Sequence, residues 1–215
     1  MVLLLALAGC APGSINYPQG SSPLYTAYFQ ELPSDGDATE TLVLLLNSTL
    51  DCDLTPEDAD PVTREQAMAE LYIALTREDA RVVFLSLKRY VSATDPVGWY
   101  PIHDEPSVDY LLDGASPFAA RAAYVGINEA RVVEDDGLYR AYEPVDVEGG
   151  WMDEPSEVRI TRSGDTLVGS FEFAEVDVSG RFRASPCDEL EFPASLAGAV
   201  LAQYGATPQD DTEQD

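Results

Sequence analysis

Basic side chains are scarce in this sequence. The 215 residues include 12 Lys and Arg against 39 Asp and Glu, so the formal net charge is −27. Binding to nucleic acid needs a basic surface, because contacts to phosphate supply most of the affinity, and attraction to anionic lipid headgroups needs basic residues as well. The composition therefore argues against nucleic acid as a partner and against electrostatic adhesion to a membrane.

Motifs for catalysis and metal binding are also missing. His103 is the only histidine, so a Ser-His-Asp or Cys-His site would have to use it. The sequence has no Gly-x-Ser-x-Gly elbow, no Cys-x-x-Cys pair, no His-Glu-x-x-His motif and no phosphate-binding loop. We therefore expect no enzymatic activity, no catalytic residue, no cofactor and no metal. A carboxylate pair for glycoside hydrolysis stays open as an alternative, because so many acids offer many pairs.

The most acidic loop, residues 51–60, has carboxylates at alternate positions, as calcium-binding loops do. It departs from the EF-hand pattern at Pro56, where that loop needs Gly, and at Val62, where it needs a bidentate Glu. Thr55 followed by Pro56 is instead typical of a helix start, with a capping hydroxyl and then Pro at the first helical position. We favour the helix start and keep cation binding as the alternative.

The chain opens on a short apolar run, Val2–Ala8, without a polar side chain. This run cannot cross a bilayer, which takes about 20 apolar residues, but it fits the apolar core of a secretory signal, which takes about 7–15. The end of the run, Leu7-Ala8-Gly9-Cys10, resembles the lipobox of bacterial lipoproteins.

The resemblance implies a signal peptide over residues 1–9 and a mature protein that begins at a lipidated Cys10. Its acyl chains would anchor the exported protein to the envelope, and Ala11 after the cysteine, rather than Asp, implies the outer membrane. Signals of this family begin with Lys or Arg, whereas nothing before Cys10 is charged. We therefore expect Met1 to be an internal residue of a longer signal, with an atypical signal as the alternative. The alternative to the lipobox as a whole is a buried N-terminal strand or helix with a core cysteine.

Two cysteines remain once Cys10 is assigned to the lipid. Cys52 follows a predicted strand that ends near Leu46, and Cys187 follows the last predicted strand. In an exported protein an even pair of cysteines is more often joined than free, because the compartment is oxidising. We predict a disulfide between Cys52 and Cys187, with two separate buried thiols as the alternative.

Hydrophobic patterning predicts a single, mainly β domain over residues 23–205. Pro117–Val147 is typical of a long hairpin, with a tight turn at Asp136-Gly137. The fold class that we expect is an antiparallel β-sandwich or open barrel with one covering α-helix and a short C-terminal helix.

The covering helix is predicted over about residues 63–76. Thr63-Arg64-Glu65-Gln66 is a capping box. The spacing i, i+3, i+4, i+7 places four apolar side chains on one face, namely Met68, Leu71, Tyr72 and Leu75. The C-terminal helix would begin at Ser195 and stop at Gly205, and residues 206–215 are typical of a disordered acidic tail.

Three strands near the C-terminus show the clearest local pattern. Apolar and polar residues alternate in Glu157–Arg162, Leu167–Phe173 and Val176–Ala184. Turns at Ser163-Gly164 and Ala174-Glu175 would give this meander one apolar face and one Arg/Glu/Ser/Thr face, and would place Gly169 opposite Gly180.

The end of the meander also carries a second resemblance. Val178-Ser179-Gly180-Arg181-Phe182-Arg183-Ala184-Ser185-Pro186-Cys187 resembles small acidic lipoproteins of environmental Gram-negative bacteria, whose last hairpins end in a Cys.

Residues 10–22 are assigned to the lipidated cysteine and a flexible tether. Pro, Gly and Ser dominate Ala11–Ser22, which is typical of a tether. Ile15 and Tyr17 leave an ordered arm as the alternative.

Three aromatic residues in predicted loops are candidates for contact with a ligand: Trp99, Tyr100 and Trp151. We expect a non-catalytic lipoprotein of the cell envelope with a binding or structural role. It would act as a monomer on a protein or glycan partner that the sequence does not identify. The alternatives are a lipocalin-like carrier of small molecules, with Phe171, Phe173 and Phe182 lining its pocket, and a carbohydrate-active enzyme.

Overall fold

The computed structural model describes residues 11–35, 38–52, 61–90, 93, 95–103, 116–135 and 140–188. Within these ranges the chain is mainly β with one helix, as the patterning predicts. In chain order the elements are β1 (Gly13–Tyr17), β2 (Gly20–Leu24), β3 (Thr26–Asp35), β4 (Ala38–Leu46), α1 (Pro61–Thr76), β5 (Arg81–Tyr90), β6 (Gly98–Pro101), β7 (Phe118–Asp135), β8 (Arg140–Trp151), β9 (Glu157–Arg162), β10 (Leu167–Phe173) and β11 (Val178–Pro186).

The strands form one open, mixed sheet in the order β6-β9-β10-β11-β3-β4-β5-β7-β8, with β1 beside β11 and β2 beside β1. The strand pairs are antiparallel, except that Ser185 and Pro186 at the end of β11 run parallel to β3. An isolated bridge joins Ile102, just after β6, to Ala120 of β7. Strand β6, at one end of the strand order, therefore lies next to β7, which is close to the other end of that order.

The two halves of the sheet share one core. One half consists of β3, β4, β5, β7 and β8, and the other of β1, β2, β6, β9, β10 and β11. Buried side chains from both halves meet between them, among them Phe29, Leu45, Leu85, Tyr124, Ile160, Phe171 and Phe182. Burial of apolar surface is the main favourable term in folding, so this shared core holds the two halves against each other.

Helix α1 covers the opposite, outer face of the first half. Leu71 and Leu75 are buried in a second cluster with Leu44, Phe84 and Val125, while Tyr72 is half-buried. The predicted covering helix is thus confirmed, and it begins at Pro61, two residues before the predicted start. No helix in the described part of the chain is long and apolar enough to span a bilayer.

Residues 13–22, which the sequence assigned to a flexible tether, form an ordered arm, so the prediction of a tether is wrong there. Residues 13–16 of β1 pair with β11, and Ile15 is fully buried in the shared core. A side chain at Gly13 would collide with the backbone of Arg181, so glycine allows the two strands to approach closely. The ordered domain accordingly includes β1 and does not begin at residue 23.

The meander forms with its apolar side chains inward, as predicted, but its register differs. The turn between β10 and β11 has four residues, Ala174–Asp177, rather than two, and Phe173 pairs with Val178. A shift of two residues keeps every side chain on its predicted face, because side chains alternate with period two.

The register places an aromatic residue opposite each glycine of the meander. Gly169 pairs with Phe182 and Gly180 pairs with Phe171, so the prediction that the two glycines face each other is wrong. A side chain added at Gly180 would meet the ring of Phe171, and one added at Gly169 would meet the ring of Phe182. The rings fill the space above the glycines.

The predicted disulfide between Cys52 and Cys187 is confirmed. The two Cα atoms are 5.7 Å apart, within the usual range for a bridged pair. The backbone N–H of Cys187 donates to the carbonyl of Phe29, 2.8 Å away, so the bridge lies where β11 meets β3. It connects the chain just after β4 to the end of the last described strand.

The long hairpin is also confirmed, since β7 and β8 pair from Asp135–Arg140 down to Ala123–Trp151. Several predictions lie outside the described residues: the lipobox and Cys10, the acidic loop beyond Cys52, the turn at Asp136-Gly137, the C-terminal helix and the acidic tail.

Candidate binding face

The three candidate aromatic residues have different surroundings. Trp99 is 60% exposed on β6, whereas Tyr100 beside it is 1% exposed. The Tyr100 hydroxyl donates to the carbonyl of Pro96, 2.8 Å away, and burial raises the pKa of this tyrosine. Tyr100 is a core residue that a ligand on the outside cannot reach, which corrects its place among the candidates.

Trp151 lies at the end of β8 and is 39% exposed. The guanidinium carbon of Arg121 is 3.8 Å from the centre of the Trp151 ring, so an arginine already stacks on one side of this indole. Trp99 and Trp151 belong to strands rather than to the predicted loops. The four residues of β6 have no clear strand pattern in the sequence, because they become a strand only by pairing with β9.

Trp99 belongs to a row of side chains that runs across the outer face of the meander. Register places Trp99 opposite Arg159 of β9, Arg159 opposite Ser170 of β10, and Ser170 opposite Arg181 of β11. The alternating burial of β9, β10 and β11 points these residues outward. The row continues to Ser14 of β1.

A second row lies beside the first. Val168 of β10 pairs with Arg162 on one side and with Arg183 on the other. A bulge between β9 and β10 allows this, because an extra residue on one strand changes which side its neighbours face. Thr161 is the extra residue, and its hydroxyl donates to the carbonyl of Val168 at 3.2 Å. Without the bulge, strict alternation would turn Arg162 inward.

We call these seven outward side chains of β6, β9, β10 and β11 the arginine face: Trp99, Arg159, Arg162, Val168, Ser170, Arg181 and Arg183. Its arginines are four of the chain's 12 basic residues. All four are exposed, and none forms an ion pair with a carboxylate in the described ranges. In a chain with a net charge of −27, this is a concentration of unpaired positive charge.

Two shallow grooves flank the first row. One of about 570 Å³ lies beside Trp99, Arg159 and Thr161. The other, of about 280 Å³, lies beside Ser170 and Arg181. Glu157 lines both grooves, and it lies opposite Glu172 in the register of β9 and β10. The face therefore has a basic part over two rows and an acidic border at one end, an arrangement that can orient a ligand with charges of both signs or bind an anion along the arginines.

His103 lies in another part of the fold. Its Nδ1 atom is 2.9 Å from Oε1 of Glu154, and its backbone N–H donates to the carbonyl of Ala120 at 3.0 Å. The neighbouring Asp104 and Glu105 lie outside the described residues. Among the residues that the structure describes, no group of three or more His, Cys, Asp and Glu side chains is arranged to hold a metal ion.

A buried polar cluster joins the first arm to the core. The Arg81 guanidinium lies 4.5 Å from the centre of the Tyr17 ring and donates to the carbonyl of Ile127 at 2.8 Å. Tyr124 donates its hydroxyl to Oε1 of Glu148 at 2.9 Å. Burial, and next the charge of Glu148, raise the pKa of Tyr124. The contact between Arg81 and Tyr17 holds the arm against the core.

The sequence identified Trp99 but missed the arginines as a site. A polar face was predicted for the meander, and Arg181 with Arg183 shows the spacing of two that places both on one side. The pairing of β9 with β6 and the bulge that exposes Arg162 have no local signature. No protein-family model, curated protein or solved structure matches this chain.

Proposed function

We propose that this protein is a non-catalytic binding protein of the bacterial cell envelope, anchored to the outer membrane through lipid on Cys10 and acting as a monomer. The observation that carries the proposal is the arginine face, where an exposed indole lies on the same side of the sheet as guanidinium groups that form no ion pair with any described carboxylate. Trp and Arg are the residues most enriched at binding hot spots. The disulfide is compatible with an oxidising, extracytoplasmic location.

In this proposal the sheet is an open barrel that serves as a rigid scaffold. The bridge between Ile102 and Ala120 supports a barrel rather than a sandwich, as does the hydrogen bond of 3.0 Å from the N–H of His103 to the carbonyl of Ala120. Strands hold side chains in more constant positions than loops do.

The packed interior supports a binding protein that uses its surface rather than the lipocalin-like carrier. Phe171, Phe173 and Phe182 are at most 3% exposed, and two of these rings occupy the space over Gly180 and Gly169. A carrier would need that space for its ligand.

The anchor is tested with a Cys10→Ala variant of the full chain. We expect the variant to leave the membrane fraction and to lose labelling by a fatty-acid probe, because two or more acyl chains are what holds such a protein on a membrane. Wild-type protein is the control. Unchanged membrane association of the variant would contradict lipid anchoring.

The binding role is tested with purified full-length protein immobilised and exposed to envelope extract. Trp99→Ala should reduce the retained material, whereas Trp151→Ala should not, because Trp151 is outside the arginine face. Both tryptophans are partly exposed, so neither change should alter folding, which circular dichroism checks. Equal retention by both variants would overturn the assignment of this face.

A further inference from the structure

We propose that the arginine face binds an anionic polysaccharide whose sugar rings carry carboxylates, such as a polyuronate. This inference rests on the proposed binding function and names its ligand class. The chain would lie across the strands, with one sugar ring on Trp99 and carboxylates on the arginines.

Charge is the first reason for an anionic ligand. Four exposed guanidinium groups on β9 and β11, the two strands that flank β10, repel one another, and no described carboxylate pairs with them. A planar guanidinium binds a carboxylate through two parallel hydrogen bonds. Each arginine of the face is therefore available for one ligand carboxylate.

Spacing is the second reason. Arg159 and Arg181 lie on either side of Ser170, so their Cα atoms are two strand spacings, roughly 10 Å, apart. Arg162 and Arg183 lie in the same way on either side of Val168. Small or short side chains therefore separate each pair, and an extended ligand with regularly repeated carboxylates can reach both arginines of a row.

The exposed indole separates a glycan from other anions. Trp99 stands at the end of the first row, next to Arg159, and offers a flat apolar surface on which a sugar ring stacks. Peptides that add to a sheet do so through the free backbone groups of an edge strand, but β9, β10 and β11 are each paired on both sides. Recognition by these three strands must therefore use side chains.

Tetragalacturonate is the probe that we would use, titrated into the full-length protein at low salt in a calorimeter. Its fully methyl-esterified form is the matched neutral control, because it keeps the sugar rings and removes the charge. We expect the acid to bind and the ester to bind at least about tenfold more weakly, since each charge-assisted bidentate pair is lost. Affinity for the acid should fall as NaCl is added.

Three variants locate the site. Arg159→Gln and Arg181→Gln should each weaken binding by about tenfold, and Trp99→Ala should weaken binding of both the acid and the ester. Arg131→Gln is the matched control: it removes one positive charge from the β7–β8 hairpin, where Arg131 pairs with Glu143, and it should leave affinity unchanged. Circular dichroism confirms that all variants fold.

Several results would overturn the inference. These are equal binding of acid and ester, equal loss from Arg131→Gln and Arg181→Gln, absence of binding by the wild type at millimolar tetragalacturonate, or tighter binding of polyglutamate that Trp99→Ala does not affect. Either of the last two results would leave the proposed binding function intact, provided that Trp99→Ala still reduces the envelope material that the protein retains. If Trp99→Ala did not reduce that retention, the binding function itself would be overturned.

Discussion

At the scale of residues, the meander is held by glycines covered with aromatic rings. Gly180 lies under the ring of Phe171 and also close to the carbonyl oxygen of Ser14, 2.6 Å from where a Cβ would stand. A methyl group there would have to displace a core ring and a neighbouring backbone. The position therefore requires glycine for space rather than for backbone conformation.

Gly180→Ala should lower the free energy of unfolding by about 1–3 kcal/mol, because inserting a methyl group into a packed core forces neighbours out of place. Gly20→Ala is the control, since its Cβ would meet only the Tyr17 ring at 3.8 Å, and it should change stability by less than about 0.5 kcal/mol. Urea unfolding measures both. Equal stability of the two variants would show that Phe171 does not fill this space.

Tyr124 predicts a loss of stability at alkaline pH. Its pKa in the folded protein is raised by burial and by Glu148, whereas in the unfolded chain it ionises near the ordinary value of 10.0. The stabilising contribution is complete below about pH 10 and is lost as the pH rises, because only the unfolded chain gives up the proton. Tyr100 acts in the same direction.

Tyr124→Phe isolates this effect. The variant should be less stable than the wild type at pH 8 by roughly 1–2 kcal/mol, because the hydrogen bond to Glu148 is lost, but it should lose less stability between about pH 9 and 11. Unfolding midpoints in urea across this range measure the difference. Parallel curves for the two proteins would rule Tyr124 out as the source.

At the scale of elements, the sequence predicted what depends on local periodicity and missed what depends on distant partners. Helix α1, the β7–β8 hairpin and the inward face of the meander follow from periods of 3.6 and 2, so they could be read locally. Strands β1, β2 and β6 could not, because they are short and contain Gly, Ser or Pro, and they are ordered by pairing with β11, β1 and β9 respectively. The arginine face was hidden for the same reason, since a bulge completes it.

Ile15→Ala tests whether β1 is part of the folded domain. Ile15 is fully buried in the shared core, so its truncation should cost about 2–5 kcal/mol. Asn16→Ala is the neighbouring control, because Asn16 is exposed, and it should cost less than about 0.5 kcal/mol. If both variants unfold at the wild-type urea concentration, residues 13–17 are a tether after all.

At the scale of the whole molecule, the disulfide closes most of the domain into one loop. Cys52 and Cys187 are 135 residues apart, and the chain-entropy model gives about 5 kcal/mol for a loop of this size, lowered by any strain. A domain is commonly stable by only about 5–15 kcal/mol. The bridge therefore supplies a large share of the stability of this acidic chain.

Reduction of the purified protein should accordingly lower its free energy of unfolding by up to about 5 kcal/mol or abolish folding. A Cys52→Ser/Cys187→Ser variant should match the reduced protein. The variant treated with the same reductant is the control, because it has no bridge to lose. Mass spectrometry of unreduced peptides establishes the bridge directly. Two alkylatable thiols in protein taken from cells would contradict it.

The position of β11 also decides when the protein can fold. Both β1 and β3, at the start of the domain, pair with β11, at its end, so the shared core cannot close until almost the whole domain has been synthesised. Such non-local pairing slows folding, and a slowly folding chain stays extended for longer. Under the export that we propose, this delay would keep the polypeptide unfolded until it reaches the compartment where its cysteines can join.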